Sequence, residues 1–235
     1  MKKIVLLMAA IVATFGAKAE LPVFSHVGAD LSVGTNGIGI EAVTNLTSWV
    51  DMRAGVHIMP NFSFKTSADV EVSAHDDYSY GESMDVDLSM GRVQGSVIFN
   101  VYPIPKGSFF LAAGAYFAGN KLFKVHGHTE YFNNNGYVDA GGVGIPIDKD
   151  GNVDGGFKVK GFRPYVGLGF GRALPKRRLG FKFELGVQFE GKPEAYTNYG
   201  QLRFSDEFTS DDLEKITKYC KLYPVLSFTL TGRIF

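Results

Sequence analysis

The sequence predicts an all-β protein, an eight-stranded antiparallel transmembrane β-barrel with one short helix in its last external connection. Three observations lead to this fold class. The chain opens with an export signal, apolar and polar residues alternate along eight segments, and the connections between those segments tend to alternate between short and long. Alternation with a period of two is the pattern of a strand that has one apolar face. Strands of about 9 to 11 residues are long enough to cross a bilayer when tilted.

Residues 1–19 form the predicted signal peptide. Lys2 and Lys3 precede a short apolar stretch, and Ala17-Lys18-Ala19 supplies a cleavage site of the A-x-A type. The apolar stretch is shorter than the roughly 20 residues that a membrane-spanning helix needs. The mature chain, residues 20–235, is therefore predicted to be exported, and the strand pattern predicts that it forms a single β-barrel domain.

Composition narrows the function classes. Without the three signal lysines the chain has 21 basic residues against 24 acidic ones, a net charge of −3. Such a balance gives no reason to expect a nucleic-acid partner, because nucleic-acid binding calls for a clustered basic surface. Cys220 is the only cysteine, so no intramolecular disulfide is predicted. No sequence motif indicates a cofactor.

The strands are predicted from alternation, which is clearest in LGFKFELGVQFE at residues 179–190. A phase change near Gly91 predicts a β-bulge in the fourth strand. A soluble β-sandwich also alternates, but the polar faces here mix opposite charges with glycines, as a narrow lumen would. In chain order the eight predicted strands lie within residues 27–33, 38–42, 50–58, 86–101, 109–117, 162–170, 179–190 and 223–235.

The polar faces of these strands are predicted to line the lumen. Their opposite charges should pair across the barrel, because an isolated buried charge is strongly unfavourable. Asp51 with Arg53 and Lys182 with Glu184 are neighbours on single strands. An eight-stranded barrel has room inside only for side chains, so no continuous aqueous channel is predicted. The predicted network comprises Asp30, Glu41, Asp51, Arg53, His57, Arg163, Lys182, Glu184 and Glu190, with Tyr165 beside them.

Connection lengths predict the orientation in the membrane. The second, fourth and sixth connections are short (TNLTS, PIPKGS and RALPKRR), whereas those at residues 60–84, 119–161 and 191–222 are long. Only the first, GTNG, departs from the rule that external loops are long and periplasmic turns short. Both termini are thus predicted to be periplasmic. In the last long connection, residues 209–223 carry apolar side chains at helical spacing and predict the short helix.

The signal peptide, the first hairpin GADLSVGTNGIGIEA and the final segment YPVLSFTLTGRIF resemble the small outer-membrane β-barrels of the OmpA/OmpW-like group. The resemblance covers nearly all of the mature chain. It implies insertion by the barrel-assembly machinery, which recognises a terminal aromatic residue, and it offers no catalytic residues to transfer. Such a barrel is expected to be a monomer in contact with outer-membrane lipid and lipopolysaccharide.

The terminal residue departs from that group's pattern. Leu226, Phe228 and Leu230 share one parity, and Phe235 has the other. Facing Phe235 outward would turn Arg233 towards lipid, at a cost of about 2 to 4 kcal/mol near the midplane. Leu226, Phe228 and Leu230 are therefore predicted to face lipid, and Phe235 to lie at the rim beyond a kink near Gly232.

One segment outside the strands has the spacing of a calcium loop. Asp148, Asp150, Asn152 and Asp154 place oxygen atoms at alternate positions of DKDGNVDG. However, Val153 occupies the position of the invariant glycine, and Val159 stands where the bidentate glutamate belongs. Asp-Gly and Asn are also ordinary turn residues. Calcium is a weak hypothesis, and no metal site is predicted.

The remaining candidates for metal binding or catalysis are histidines. His126 and His128 share a face if their segment is extended, but no third ligand follows from spacing, so solvated loop histidines are predicted. His57 is predicted inside the lumen beside Asp51 and Arg53. An acyl hydrolase can be imagined there, but no serine motif accompanies the histidine, and a triad is defined by geometry. No enzyme is predicted.

The predicted function follows from the filled lumen. The protein is expected to have a structural or surface-interaction role carried by its external loops. The first alternative is a small-solute channel of the outer membrane, and the second is a lipid-modifying outer-membrane enzyme.

Overall fold

The computed structural model describes residues 25–73, 79–104, 106–129, 136–139, 143–204 and 221–234. The predicted signal peptide, most of the predicted helix and Phe235 lie outside these residues. The helix is not confirmed: the described residues contain no α-helix, and Leu222 and Tyr223 begin a strand instead. Within the same residues no helix is long and apolar enough to span a membrane.

The described chain is all β, and every strand pair is antiparallel. The strands are β1 Val27–Gly34, β2 Gly37–Asn45, β3 Val50–Ser73, β4 Ser79–Val101, β5 Phe109–Phe117, β6 Lys121–His128, β7 Tyr137–Asp139, β8 Val143–Pro146, β9 Asn152–Lys158, β10 Phe162–Phe170, β11 Leu179–Phe189, β12 Glu194–Thr197, β13 Arg203–Phe204 and β14 Leu222–Arg233.

Eight of these strands close into a ring of hydrogen bonds in the order β1, β2, β3, β4, β5, β10, β11, β14 and back to β1. The last strand pairs with β11 on one side and with β1 on the other, with Leu230 opposite Leu31. The open edge that a terminal strand would otherwise present is thereby paired. The eight predicted strands are the strands of this ring.

Strand alternation divides the ring into two faces. On β14, Phe228 and Leu230 are exposed, whereas Thr229 and Thr231 are buried. This parity is the predicted one. On β11, Phe181 is 81 % exposed, and its neighbour Lys182 is buried. The ring therefore has an apolar exterior and a polar interior, because each strand turns successive side chains to opposite faces.

Two ring strands are much longer than predicted. Residues 60–84 were predicted to form a loop. Their described parts, residues 60–73 and 79–84, instead continue β3 and β4, which pair as far as Ser73 opposite Ser79. The strand pattern was hidden by a bulge, in which Pro60 and Asn61 together oppose Gly91. Proline lacks the N–H that a regular ladder needs, so it is tolerated at such a position. The extra residue lies on β3, across from the predicted position on β4.

The prolonged strands carry a second sheet beyond one end of the ring, here called the extended end. β4 pairs with β6, β6 with β9 and β9 with β12, while β3 pairs with β7, β7 with β8 and β8 with β13. The edge strands β12 and β13 are joined by residues 198–202, so the sheet folds back on itself. Its interior is an apolar cluster of Val70, Met84, Val86, Val138, Ile147 and Val153. The described parts of the predicted long loops at residues 60–84 and 119–161 are thus largely β structure.

The opposite end, here called the turn end, holds the short connections and the last residue of β14. The connection between β10 and β11 folds under the ring, where Ala173 and Leu174 pack against Val43. The Ala173 N–H donates to the Tyr102 hydroxyl at 3.0 Å, and the Arg172 guanidinium lies 4.4 Å from the Tyr102 ring centroid. The connection therefore covers the interior of the ring at this end.

Candidate functional site

The candidate site is the polar interior of the ring, and a three-residue ion cluster lies at its middle. Arg53 on β3 donates from Nη1 to Glu41 Oε2 at 3.0 Å and from Nη2 to Glu184 Oε2 at 2.6 Å. The side chains of all three residues are at most 4 % exposed. The Tyr165 hydroxyl also donates to Glu184. One guanidinium thus ties three strands together from the inside.

Lys182 forms a second ion pair nearer the turn end. Its Nζ lies 3.2 Å from Asp30 Oδ2 and 3.8 Å from Glu41 Oε2, with all of these groups buried. The oppositely charged neighbours on single strands, Lys182 with Glu184 and Asp51 with Arg53, do not pair with each other, and the ion pairs run between strands. The reason is geometric. Residues two apart on a strand lie about 6.6 Å apart, whereas side chains on adjacent strands come closer.

The interior near the extended end is held mainly by amides. Arg163, fully buried, donates to Gln94 Oε1 at 2.8 Å, to Gln188 Oε1 at 3.3 Å and to the Lys160 carbonyl at 3.0 Å. The expected carboxylate partner of Arg163 is replaced by these neutral oxygens. Gln188 donates in turn to Asn36 Oδ1 at 2.8 Å.

Glu190 pairs with a residue that sequence reasoning missed. Arg92 Nη1 donates to Glu190 Oε1 at 2.8 Å, and the Arg92 guanidinium also lies 4.5 Å from the Tyr223 ring centroid. The Tyr223 hydroxyl donates to the Thr35 carbonyl in the β1–β2 turn at 2.6 Å. These contacts, with those of Asn36, draw the turn over the interior at the extended end.

Asp51 stands apart from the network, at the turn end. It is buried, and its Oδ2 atom has no hydrogen-bond partner among the described residues. It lines a cavity of about 260 Å³ together with Arg172, Leu174, Lys176 and other residues of this end. The cavity lies beneath the ion network, outside the path between Arg53 and Glu184.

The remaining space inside the ring is very small. A cavity of about 10 Å³ lies beside Arg53, His57, Tyr116 and Glu184, with Asn36 at its lining. That volume accommodates about one water molecule. The aromatic side chains Phe110, Tyr116 and Tyr165 fill much of the interior from β5 and β10. Among the described residues, the arrangement around Arg53 and Glu184 braces the wall and leaves no room there for a solute.

His57 does contact a serine and a carboxylate, but not in the arrangement of a hydrolase. His57 Nε2 lies 3.0 Å from Ser96 Oγ and 3.4 Å from Glu41 Oε1, so a single ring nitrogen faces both groups. A catalytic triad uses one nitrogen for the nucleophile and the other for the acid. The Nδ1 side of His57 packs against Gly39, where a Cβ would lie 2.3 Å from that atom. The group is also buried, with no cavity for an acyl substrate.

The calcium candidates turn their oxygens towards other partners. Asp148 Oδ1 accepts from the backbone N–H groups of Asp150 and Asn152 at 2.8 and 2.7 Å. These donations, chiefly those of Asn152, hold the pKa of the Asp148 carboxyl below its usual value. Asp154 Oδ1 lies 2.8 Å from His126 Nδ1. The segment forms the turn that leads into β9, in line with the interpretation of its Asp-Gly and Asn as ordinary turn residues.

His126 and His128 were predicted to lie in a loop, but the structure places them on β6. Both side chains are exposed. Among the residues that the structure describes, no group of three or more His, Cys, Asp or Glu side chains is close enough to hold a metal ion.

Several interior residues were not singled out from the sequence, and their alternation on β4 is the signal that could have revealed them. Arg92, Gln94, Ser96 and Asn100 follow one another at a spacing of two or four and are all buried. Attention to charge alone passed over the amides. The inward face of β4 also changes from apolar at Met84 and Val86 to polar from Arg92 onwards, which looks like a phase change in the sequence.

Comparison with known proteins identifies a likeness in fold. No protein-family model matches the chain, and no curated protein matches it at a significant level. The crystal structure of Acinetobacter baumannii CarO2 matches with a TM-score of 0.51 and 21 % identity, over 91 % of this chain and 100 % of that one. Acinetobacter baumannii CarO matches with a TM-score of 0.47 and 17 % identity, over 92 % and 99 % of the two chains. The likeness to CarO2 concerns the fold alone.

Proposed function

We propose that this chain is an outer-membrane β-barrel protein with a filled lumen, whose extended end serves a structural or surface-interaction role. The single observation that carries the proposal is the interior of the ring. Arg53, Lys182 and Arg163 are each held across strands, and only about 10 Å³ of free volume remains beside the central cluster. The interior of an eight-stranded barrel is just wide enough for side chains to fill it.

The exterior supports a lipid environment. Ile40 is 66 % exposed, and Val33, Ile58, Leu168 and Phe228 are exposed as well, each on the outer face of a different ring strand. Soluble monomers rarely expose a contiguous apolar surface that encircles the whole molecule. In a bilayer the same surface is buried in the hydrocarbon, and the closed ring satisfies the backbone N–H and C=O groups. The fold shared with CarO2 is consistent with this reading.

We further propose that the turn end faces the periplasm and the extended end the cell exterior. The short connections and the described end of β14 lie at the turn end, which is the periplasmic arrangement of such barrels. Outer-membrane lipid and lipopolysaccharide then surround the ring, and the barrel-assembly machinery inserts it. Closure of β14 on β1 leaves the wall without an unpaired edge, which suits a monomer.

The test is planar-bilayer conductance of the refolded mature chain, run beside a general porin as a positive control. We expect no sustained single-channel steps from the wild type, because the ion network blocks the interior. Steady conductance would overturn the filled lumen and favour a small-solute channel. A parallel assay for fatty-acid release from phospholipid vesicles is expected to be silent, and release that depends on His57 would favour the enzyme.

A further inference from the structure

Two histidines stand side by side on the outer face of the second sheet. His126 and His128 are two residues apart on β6, so their side chains share one face. Gly127 between them faces the apolar core, where a Cβ would lie 2.8 Å from the Met84 Cε atom. The side chain of His126 is 52 % exposed. The packing of Gly127 fixes which face of β6 the histidines occupy.

Each imidazole is held by an oxygen atom of β9 on the same ring nitrogen. His126 Nδ1 lies 2.8 Å from Asp154 Oδ1, and His128 Nδ1 lies 3.2 Å from Asn152 Oδ1. These strands are in register, with His126 opposite Asp154 and His128 opposite Asn152. Because a carboxylate only accepts hydrogen bonds, Nδ1 of His126 carries the hydrogen, and in the neutral ring Nε2 keeps its lone pair.

The orientation of the Asn152 amide follows from its other contact. Asn152 Nδ2 donates to Asp148 Oδ2 at 3.0 Å, which leaves Oδ1 facing His128. Nδ1 of His128 is therefore also the donor, and its Nε2 is also free to accept. Two imidazoles on one strand face thus have the same tautomer, set by the same neighbouring strand.

Further hydrogen bonds hold Asp154, whose carboxylate contacts His126. The Tyr199 hydroxyl donates to Asp154 Oδ2 at 2.9 Å, and this bond raises the pKa of Tyr199 to about 12. Thr197 Oγ1 donates to the Asp154 carbonyl at 2.9 Å. On the other side of β6, Asp87 of β4 is in register with His126, and its Oδ1 is buried without a hydrogen-bond partner among the described residues.

We propose that His126 and His128 form a two-imidazole binding site for a divalent transition-metal cation, with Asp154 and Asn152 as its positioning residues. Metal-binding histidines commonly donate their second N–H to a carboxylate or a carbonyl oxygen, which fixes the tautomer and raises the basicity of the ligand. Imidazole suits Cu²⁺, Ni²⁺ and Zn²⁺, and among these Cu²⁺ binds most tightly to a given nitrogen site. The site is independent of whether the ring conducts solutes.

The carboxylates near the imidazoles of His126 and His128 favour the binding of a divalent cation. Asp154, Asp148 and Asp87 contribute carboxylates beside or behind the imidazoles. The calcium-like spacing of residues 148–154 acquires a role here, because these oxygens orient histidines instead of coordinating an ion themselves. Two protein nitrogens leave the other coordination positions to water, so moderate affinity is expected.

The experiment is a titration of the refolded mature chain in detergent with Cu²⁺, followed by electron paramagnetic resonance, and with Zn²⁺ and Ca²⁺, followed by calorimetry. We expect one Cu²⁺ per chain with nitrogen hyperfine structure, weaker Zn²⁺ binding at the same site, and no Ca²⁺ binding. The double variant His126→Asn/His128→Asn should lose this Cu²⁺, and each single variant should bind it at least about tenfold more weakly. Asp154→Asn should weaken binding about 10 to 100-fold, as outer contacts of metal sites do.

The matched control is His26→Asn, which removes an exposed histidine at the turn end and should leave the Cu²⁺ signal unchanged. A second measurement needs no variant: bound Cu²⁺ or Zn²⁺ should protect His126 and His128 from acylation by diethylpyrocarbonate, while His26 remains reactive. Equal Cu²⁺ binding by the wild type and the double variant, or acylation of these two histidines at an unchanged rate in the presence of metal, would overturn the proposal.

Discussion

Removal of the Arg53 side chain tests how the interior network stabilises the ring. Arg53→Met keeps much of the length of the side chain but removes the guanidinium between Glu41 and Glu184. Glu184 then retains only the Tyr165 hydroxyl, while Glu41 retains Lys182 at 3.8 Å and the contacts of His57 and Ser96. A buried carboxylate without a counter-ion is strongly unfavourable, so the folded state should lose stability.

The expected loss in the free energy of unfolding is about 3 to 5 kcal/mol, the usual effect of removing one partner of a buried ion pair. The side chains on both sides of the guanidinium are at most 4 % exposed, so solvent gives little compensation. The double variant Arg53→Met/Glu184→Gln should recover most of this loss. It removes the unpaired charge, and replacement of a buried pair by neutral groups is often tolerated.

The assay is equilibrium unfolding by urea of the chain refolded in phospholipid vesicles, followed by the fluorescence of Trp49, the only tryptophan. Arg177→Met, which alters an exposed arginine in the β10–β11 connection, is the control and should lie within about 0.5 kcal/mol of wild type. A loss below about 1 kcal/mol for Arg53→Met would refute the reasoning, since it would show that the cluster does not brace the wall.

Two further predictions concern packing and orientation. Gly186→Ala would place a Cβ 2.2 Å from the Tyr165 hydroxyl oxygen. We expect it to lower the free energy of unfolding by about 1 to 3 kcal/mol in the same assay. The control is Gly95→Ala, whose Cβ would lie 3.8 Å from its nearest neighbouring atom and which should have little effect. Equal midpoints for the two variants would contradict the close packing of Tyr165. Protease added to intact cells should cut within residues 119–161 or 191–222, and cleavage confined to residues 103–108 or 172–178 would show the opposite orientation.

The ring could be predicted because its strands obey a local rule. Each ring strand alternates over eight residues or more, and its neighbours along the chain are mostly its neighbours in the sheet. The second sheet does not share this property. Its strands are short, β13 has only two residues, and they pair with partners far away in the chain. The bulge at Pro60 also shifts the face on which each parity of β3 lies, so that even-numbered residues point outward at Ile58 but inward at Val70, and alternation alone misplaces the faces beyond it.

The sequence predicts which residues line the interior of the ring, but it does not predict which of them contact each other. Parity alone places Arg53, Lys182 and Glu184 inside, but the choice of partners depends on the registers of several strands at once. Arg53 and Glu184 are 131 residues apart, and no local pattern brings them together. For the same reason the histidines of β6 and the oxygens of β9 were assessed separately in the sequence, although strand pairing joins them.

The strands β3 and β4 belong to both the ring and the second sheet, and no other strand of the described chain does. These two strands carry the wall of the ring into the second sheet without a break, whereas connections of three or four residues join β5 to β6, β9 to β10 and β11 to β12. The ion pairs of Arg53 and Lys182 involve ring strands only, so we expect substitutions in β6 to β9, β12 or β13 to leave these pairs intact. In the proposed orientation, the second sheet can then vary in sequence at the cell surface while the ring keeps its sequence constraints.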